Sequence, residues 1–359
     1  MMSRSLVFTL HRYAGLVIGL LLVLSGLSGS VLVFRDEIEA LASPKMRVTT
    51  AQGKHVTVDK VLQAVQRAYP DDRPFAIRLP RTPQQTYLIK LNTAHALFVY
   101  VDPYSGRILR AHRQKDSAMG WIGLLHTELL GGEAGETALG IGGLLLIGLC
   151  VSGVVLWWPR NGKISRGFTL RWSASWKRRN FDLHRVSGVV MALLLLSVAL
   201  TGVSLVFNKT ATGLINTLTA SLPRGAPPLS SSPGAAPPLH SIDALLREAD
   251  RALPGPTTWI NLPQTPRAPV TVRKKLPQES HPNGRNFVYL DQYTGRVLQV
   301  ENALTAPLGT RIANVLYPIH TGAIAGTPTR MLQSAVGLSP LLLFITGLAM
   351  WKSRRKGKP

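Results

Sequence analysis

Cysteine is almost missing from this 359-residue sequence, where Cys150 stands alone. A single thiol forms no intrachain disulfide and builds neither a zinc–thiolate nor an iron–sulfur site. Acidic residues are also scarce, 18 against 41 Lys and Arg, which leaves a formal net charge of +23. That balance usually points to nucleic acid or to an anionic membrane surface. Nucleic acid is set aside, because the densest basic runs abut apolar segments instead of lining a groove-sized patch. A nucleotide-binding fingerprint such as G-x-G-x-x-G after a strand is missing too.

Long apolar runs are what the sequence does have. Residues 13–34, 137–159, 186–208 and 331–351 carry no charged side chain, and each run has charge at both ends. Lengths of 21–23 residues suffice to cross a hydrocarbon core of about 30 Å as helix. A cleaved signal peptide is considered for the first run, since Arg4 and Arg12 give it a positive flank. It is long for a signal core, no clear A-x-A site follows, and a close copy recurs at 184–207, so it is read as a retained anchor.

Four spans put both termini on one side. The 160–185 connection carries eight Lys or Arg against the single acid Asp182, and Lys352, Arg354, Arg355, Lys356 and Lys358 follow the last span. The positive-inside rule therefore predicts cytoplasmic termini and two long external connections. The expected segmentation is a first span at 1–34, an external module at 35–118, and an interfacial helix plus second span at 119–159. A basic cytoplasmic loop at 160–183 and a third span at 184–208 follow. A second external module at 209–310, an interfacial segment plus fourth span at 311–351, and a basic tail at 352–359 complete it.

The halves repeat. HRYAGLVIGLLLVLSGLSGSVLVF begins at His11 and HRVSGVVMALLLLSVALTGVSLVF at His184. VYVDPYSGRILR at 99–110 matches VYLDQYTGRVLQ at 288–299, and in both Asp and Gly sit where a hairpin turn needs them. Helical patterns precede both, near 57–69 and 241–252. LLHTELLGG at 124–132 matches PIHTGAIAG at 318–326. The fold expected is an α-helical membrane protein of four transmembrane helices in two parallel repeats, each with an external α+β module. The Pro-, Ser-, Gly- and Ala-rich stretch 223–238 has no counterpart in the first half and reads as a flexible insert.

Of nine histidines, His11, His126, His184 and His320 recur at matched positions. One histidine at a membrane edge is as readily an interfacial or capping side chain, but two matched pairs bring like residues to either side of one axis. Paired imidazoles suit the two axial positions of a haem iron, a saturated arrangement that favours electron transfer. His11 with His184 would hold one haem b near the cytoplasmic face, and His126 with His320 a second near the external face. Arg12 and Arg185 would offset propionates at the inner site, and Arg330 and Arg311 at the outer; taken singly, each arginine is slightly better explained by topology or lipid headgroups. The small residues Gly15, Gly19, Gly26, Gly29, Gly188, Gly202, Ser187 and Thr201 fit close helix packing with or without a cofactor. A di-histidine site for a plain metal lacks further ligands.

HRYAGL and HRVSGV opening the spans, WWPRNGK at 157–163 and the paired VYVDPYSGRILR and VYLDQYTGRVLQ strands resemble the PepSY-associated transmembrane family over nearly the whole chain. In length and layout the chain is similar to its dihaem FoxB-type ferrisiderophore reductases. The resemblance implies haem ligation by the four matched histidines. It also implies electron delivery across the bacterial inner membrane to a ferric siderophore or other Fe(III) chelate in the periplasm, with PepSY-like external modules. The donor would be separate: a cytoplasmic flavin, a flavoprotein or membrane quinol. Two alternatives stay open, an electron-transfer subunit for another periplasmic acceptor and a non-redox binding or regulatory membrane protein.

Overall fold

The computed structural model describes residues 3–42, 48, 53–93, 96–159, 162–231 and 240–355. Arg160, Lys356, Lys358 and positions 232–238 of the insert lie outside the described residues. The chain divides into a helical unit and a sheet unit, the former made of Met1–Phe34, Ile122–Gly213 and Leu316–Pro359.

Four helices of the helical unit are long and apolar enough to cross a membrane: α1 (Arg4–Leu32), α5 (Gly132–Trp157), α6 (Trp176–Val206) and α10 (Thr327–Arg355, of which Thr327–Ser353 qualifies). α1 packs on α5 and α10, and α6 packs on the same two, so the four form a ring. Small residues set the closest approaches. A Cβ on Gly26 would collide with the Gly337 carbonyl. One turn on, Ser334 donates its hydroxyl to the Ser30 carbonyl at 2.9 Å, and the Ser30 hydroxyl shares its proton between the Gly26 and Ser334 carbonyls at 2.8 and 2.9 Å. This is the small-residue contact that joins helices where no hydrophobic effect can.

The helices begin well before the apolar runs do. α6 starts at Trp176 and α1 at Arg4, so His184 and His11 sit about two turns inside their helices rather than opening them. Part of the segment expected as the 160–183 loop is therefore helix. Loss of charge marks where lipid begins, whereas the backbone ladder continues for as long as the chain tolerates helical dihedrals.

The sheet unit comprises Arg35–Trp121 and Leu214–Val315. Its strands are β1 (Arg73–Arg78), β2 (Tyr87–Asn92), β3 (Leu97–Val101), β4 (Ile108–Arg113), β5 (Thr257–Asn261), β6 (Val270–Lys274), β7 (Asn286–Leu290) and β8 (Val297–Glu301). All neighbours are antiparallel in the order β4-β3-β2-β1-β5-β6-β7-β8. The two stretches expected as separate modules thus share one sheet, joined where Ala76, Ile77 and Arg78 pair with Asn261, Ile260 and Trp259. Two open edges are satisfied by this pairing, which the sequence of either half alone cannot reveal. Both hairpin turns form as expected: Asp102 Oδ1 accepts from Tyr104 and Ser105 N–H, and Asp291 Oδ1 from Tyr293 and Thr294 N–H. Gly106 and Gly295 close them at φ +74° and +71°, which favours glycine.

Two short helices, α3 (Val58–Ala68) and α8 (Ile242–Ala252), cover one sheet face. Val61 and Val65 of α3, and Leu245 and Ala249 of α8, join Ile77, Ile89, Val99, Ile260, Val272 and Val288 in one core. The helices cap each other: Asp59 accepts from the N–H groups of Ile242 and Asp243, and Asp243 from those of Val58 and Asp59. Burial opposes ionising Asp59, but hydrogen bonds from Ser241, Asp243 and the α8 backbone outweigh it and hold the carboxyl below the usual carboxylate range. Ser230 and Ser231 of the stretch expected to be flexible are held in place, since Ser230 bonds Arg267 and Ala268, and Ser231 N–H reaches Asp291 at 2.6 Å. Polar backbone along a strand edge offers the partners that composition alone does not show.

Asp59→Ala removes the acceptor for the first amides of α8, a loss of about 1–2 kcal/mol. Hydrogen exchange on the full chain is expected to quicken at Ile242 and Asp243 while the amides of the four long helices stay unchanged.

Candidate functional site

The four matched histidines all belong to the helical unit and lie on four different helices. His11 is on α1 and His184 on α6, while His126 is on α4 (Ala118–Glu128) and His320 on α9 (Leu308–Thr321). Each ring reaches a neighbouring helix of its own half, and each finds the same thing there. His11 Nδ1 meets Ser152 Oγ at 2.8 Å and His184 Nδ1 meets Thr346 Oγ1 at 2.8 Å. His126 Nδ1 meets Ser28 Oγ at 3.2 Å, and His320 Nδ1 meets Thr201 Oγ1 at 3.1 Å.

The direction of these bonds follows from the hydroxyl's single proton. Ser152, Thr346, Ser28 and Thr201 each donate it to the carbonyl four residues back, at 2.7, 2.7, 2.7 and 2.8 Å. A hydroxyl whose proton stays on that carbonyl accepts from its histidine, the assignment that places the imidazole proton on Nδ1. The outer pair confirms the tautomer, because Nδ1 also donates to the Ser25 carbonyl at 3.0 Å and the Val198 carbonyl at 3.2 Å. Nε2 is left with a free lone pair in all four, the state in which imidazole ligates a metal.

A glycine follows every one of these hydroxyl residues, and the ring lies against it. A Cβ on Gly29 or Gly202 would stand 2.7 or 3.0 Å from Cε1 of His126 or His320. At Gly153 and Gly347 the corresponding approaches to His11 and His184 are 3.3 and 3.6 Å. The Ser-Gly or Thr-Gly dipeptide thus supplies both the acceptor and the space. At the sequence level Ser28-Gly29 and Thr201-Gly202 register only as packing residues, and Ser152-Gly153 and Thr346-Gly347 pass unnoticed. The recurrence of such a dipeptide in every span is the signal that could have found them.

The outer rings face each other, with His126 and His320 centroids 6.2 Å apart and planes at 43°. Two imidazoles on opposite faces of one iron, each bonded at about 2.0 Å, place their centroids roughly 6 Å apart. The outer pair therefore has the spacing of a bis-imidazole iron site. His11 and His184 both line a cavity of about 580 Å³ walled by α1, α5, α6 and α10. Gly15, Gly19, Gly153, Gly188 and Gly347 flatten its walls, and a volume in the range of about 300–1,000 Å³ is that of a small-molecule or cofactor site. Among the described residues no group of three or more His, Cys, Asp and Glu side chains comes together as a metal cluster.

The four arginines differ in what they have free. Arg12 and Arg185 both line the inner cavity. Arg185 is tied to the fully buried Asp182 at 3.0 Å and to the Thr169 carbonyl at 2.9 Å, and Arg178 holds the same carboxylate at 3.1 Å. Arg12 has no carboxylate: it lies over the rings of Phe8 and Tyr13, and its buried Nε has no hydrogen-bond partner among the described residues. Arg330 donates to the Val33 carbonyl at 2.6 Å and stacks on Phe34, fastening the start of α10 to the end of α1. Arg311 lies on α9 more than two turns before His320, in the stretch that groups with the sheet unit.

No curated protein matches the chain. The sequence model of the PepSY-associated TM region matches residues 8–354, which include the four histidines, their hydroxyl partners and both halves of the sheet, and the chain belongs to that family.

Proposed function

We propose that the chain is a dihaem b-type reductase of the bacterial inner membrane that carries electrons to a ferric siderophore or another Fe(III) chelate in the periplasm. The observation that carries this reading is the shared state of the four histidines: Nδ1–H engaged by a serine or threonine, Nε2 free, and the outer rings 6.2 Å apart. A haem b between two imidazoles supplies one-electron transfer with no open position for oxygen. The residues of the chain orient the ligands, exclude water from the apolar cavity and balance charge. His11 and His184 belong to the inner site and His126 and His320 to the outer, in two parallel repeats. The basic 160–185 segment and C-terminal tail favour cytoplasmic termini and a periplasmic sheet unit. One electron from a separate flavin, flavoprotein or quinol donor converts Fe(III) to Fe(II), which hard oxygen ligands hold less tightly, so iron is released for uptake.

A pyridine haemochrome assay with iron quantitation on the purified chain is expected to give two haems b per chain. His126→Ala or His320→Ala should leave one, as should His11→Ala or His184→Ala. Absence of a reduced b-type spectrum in the unaltered protein overturns the reading, and failure of the reduced protein to be reoxidised by ferric chelates reassigns the acceptor.

Gly29→Val and Gly202→Val test the cradle. A side chain there strikes Cε1 of His126 or His320, so the outer haem is expected to be lost while the inner is retained, read as half the haemochrome signal. A retained full signal would show that the rings do not depend on the glycines.

The arginines predict an asymmetry in potential. A cation near haem favours the reduced form, and of Arg12 and Arg185 only Arg185 has an offsetting carboxylate among the described residues. Arg12→Ala should lower the inner midpoint potential by on the order of 50 mV, one charge acting through a partly buried medium. Arg185→Ala should lower it less, in the same redox titration.

A further inference from the structure

The sheet unit contains a cavity of about 310 Å³ that the histidine sites do not use. Its lining includes Arg224, Arg285, Gln299, Glu301, Asn302 and Asn314, and residues 222–225 form one wall. The two arginines are in different states. Arg224 forms an ion pair with Glu301, donates to the Tyr289 hydroxyl at 2.8 Å and lies 4.5 Å over the Phe287 ring. Its charge is matched and its position fixed.

Arg285 is not matched in this way. The carboxylate nearest in charge, Glu279, is committed to the backbone N–H groups of Leu276 and Arg285 and to the Asn286 amide. The buried Nε of Arg285 has no hydrogen-bond partner among the described residues. A buried guanidinium donor without an acceptor carries a desolvation cost that an incoming anion would remove.

The residues matching these in the first half are different. Strand register sets Glu301 opposite Phe287 as it sets His112 opposite Phe98. The position matching Arg285, just before β3, is Ala96, and the first half has no counterpart of the 223–238 insert. An unmatched cation, several polar side chains and residues 222–225 therefore meet at this cavity.

We propose that this cavity binds a small organic polycarboxylate, with Arg285 as its principal ligand. A guanidinium offers two parallel N–H groups to one carboxylate, and Gln299, Asn302 and Asn314 carry amide donors for further oxygens. Arg224 holds Glu301 so that its charge does not repel the anion. The carboxylate could belong to a free metabolite or to the arm of a ferric carboxylate chelate; the second source rests on the reductase reading and the first does not.

Calorimetry on the full chain in lipid nanodiscs, with citrate and separately with ferric citrate, tests this. Saturable binding of at least one is expected, weakened at least about tenfold by Arg285→Ala. Ala306→Leu, which fills the cavity without touching the charge, should weaken binding as much. Tighter binding of ferric citrate identifies the chelate as the source, equal or tighter binding of citrate identifies the free acid, and both uphold the site. Binding of neither, or binding that survives both substitutions, overturns it. Haem content is read on the same preparations and is expected to be unchanged, so failure here is separable from failure of the reductase reading.

Discussion

The hydrogen bond from imidazole Nδ1 to a serine or threonine hydroxyl, itself anchored one turn back on its own helix, is the constraint on which the histidine sites depend. An imidazole placed among apolar helices is costly unless its polar atoms find partners. The hydroxyl partner answers half of that cost and in doing so chooses the tautomer. It has spent its proton on the i−4 carbonyl, so it can only accept. What remains on each ring is one lone pair at Nε2. The same residue choice at four places therefore produces four potential ligands in one protonation state, with no acidic residue needed to set it.

Geometry follows from the residue next door. On a helix, consecutive side chains are about 100° apart, so a hydroxyl residue and the glycine after it flank one cleft. Removing the Cβ at Gly29 and Gly202 lets the outer rings approach the α1 and α6 backbones, and the distances of 2.7 and 3.0 Å that a Cβ would leave to Cε1 show how little room is spare. The inner rings, at 3.3 and 3.6 Å, are less tightly held and face a cavity of about 580 Å³. Close helix packing and ring positioning thus draw on the same small residues, which is why neither purpose can be read from a glycine pattern alone.

Much of this was legible before any coordinates. Charge-free length marked the four long helices, and the DPYSG and DQYTG turns placed both hairpins, because an Asp accepting two backbone N–H groups and a left-handed glycine are local requirements. The matched histidines were identifiable from the repeat. What was not legible is tertiary. Nothing in β1 or β5 alone states that Ile77 pairs with Ile260, since both are ordinary strand residues whose edge needs some partner. Asp182 reads as one acid in a basic loop, whereas it is fully buried between two arginines. Ser152 and Thr346 look like lipid-tolerant small residues until their histidines are seen to reach them. In each case the missing information is the identity of a neighbour far away in sequence.

Where the two halves agree they build a frame, and where they differ they distribute charge. His184 follows Asp182 at an offset where His11 follows Thr9, so only the second half's arginine is offset by a buried carboxylate. In the sheet unit, Arg285 and Glu301 occupy places held by Ala96 and His112, and residues 222–225 line the same cavity. A backbone that repeats can keep its register while side chains diverge, because strand pairing and helix packing are set by main-chain groups and small residues that both halves retain. Substitution at the remaining positions then changes local electrostatics without disturbing the fold. In the bundle that freedom leaves Arg12 uncompensated beside the cavity, and in the sheet unit it leaves Arg285 without an acceptor; both uncompensated cations line space large enough for an anionic group.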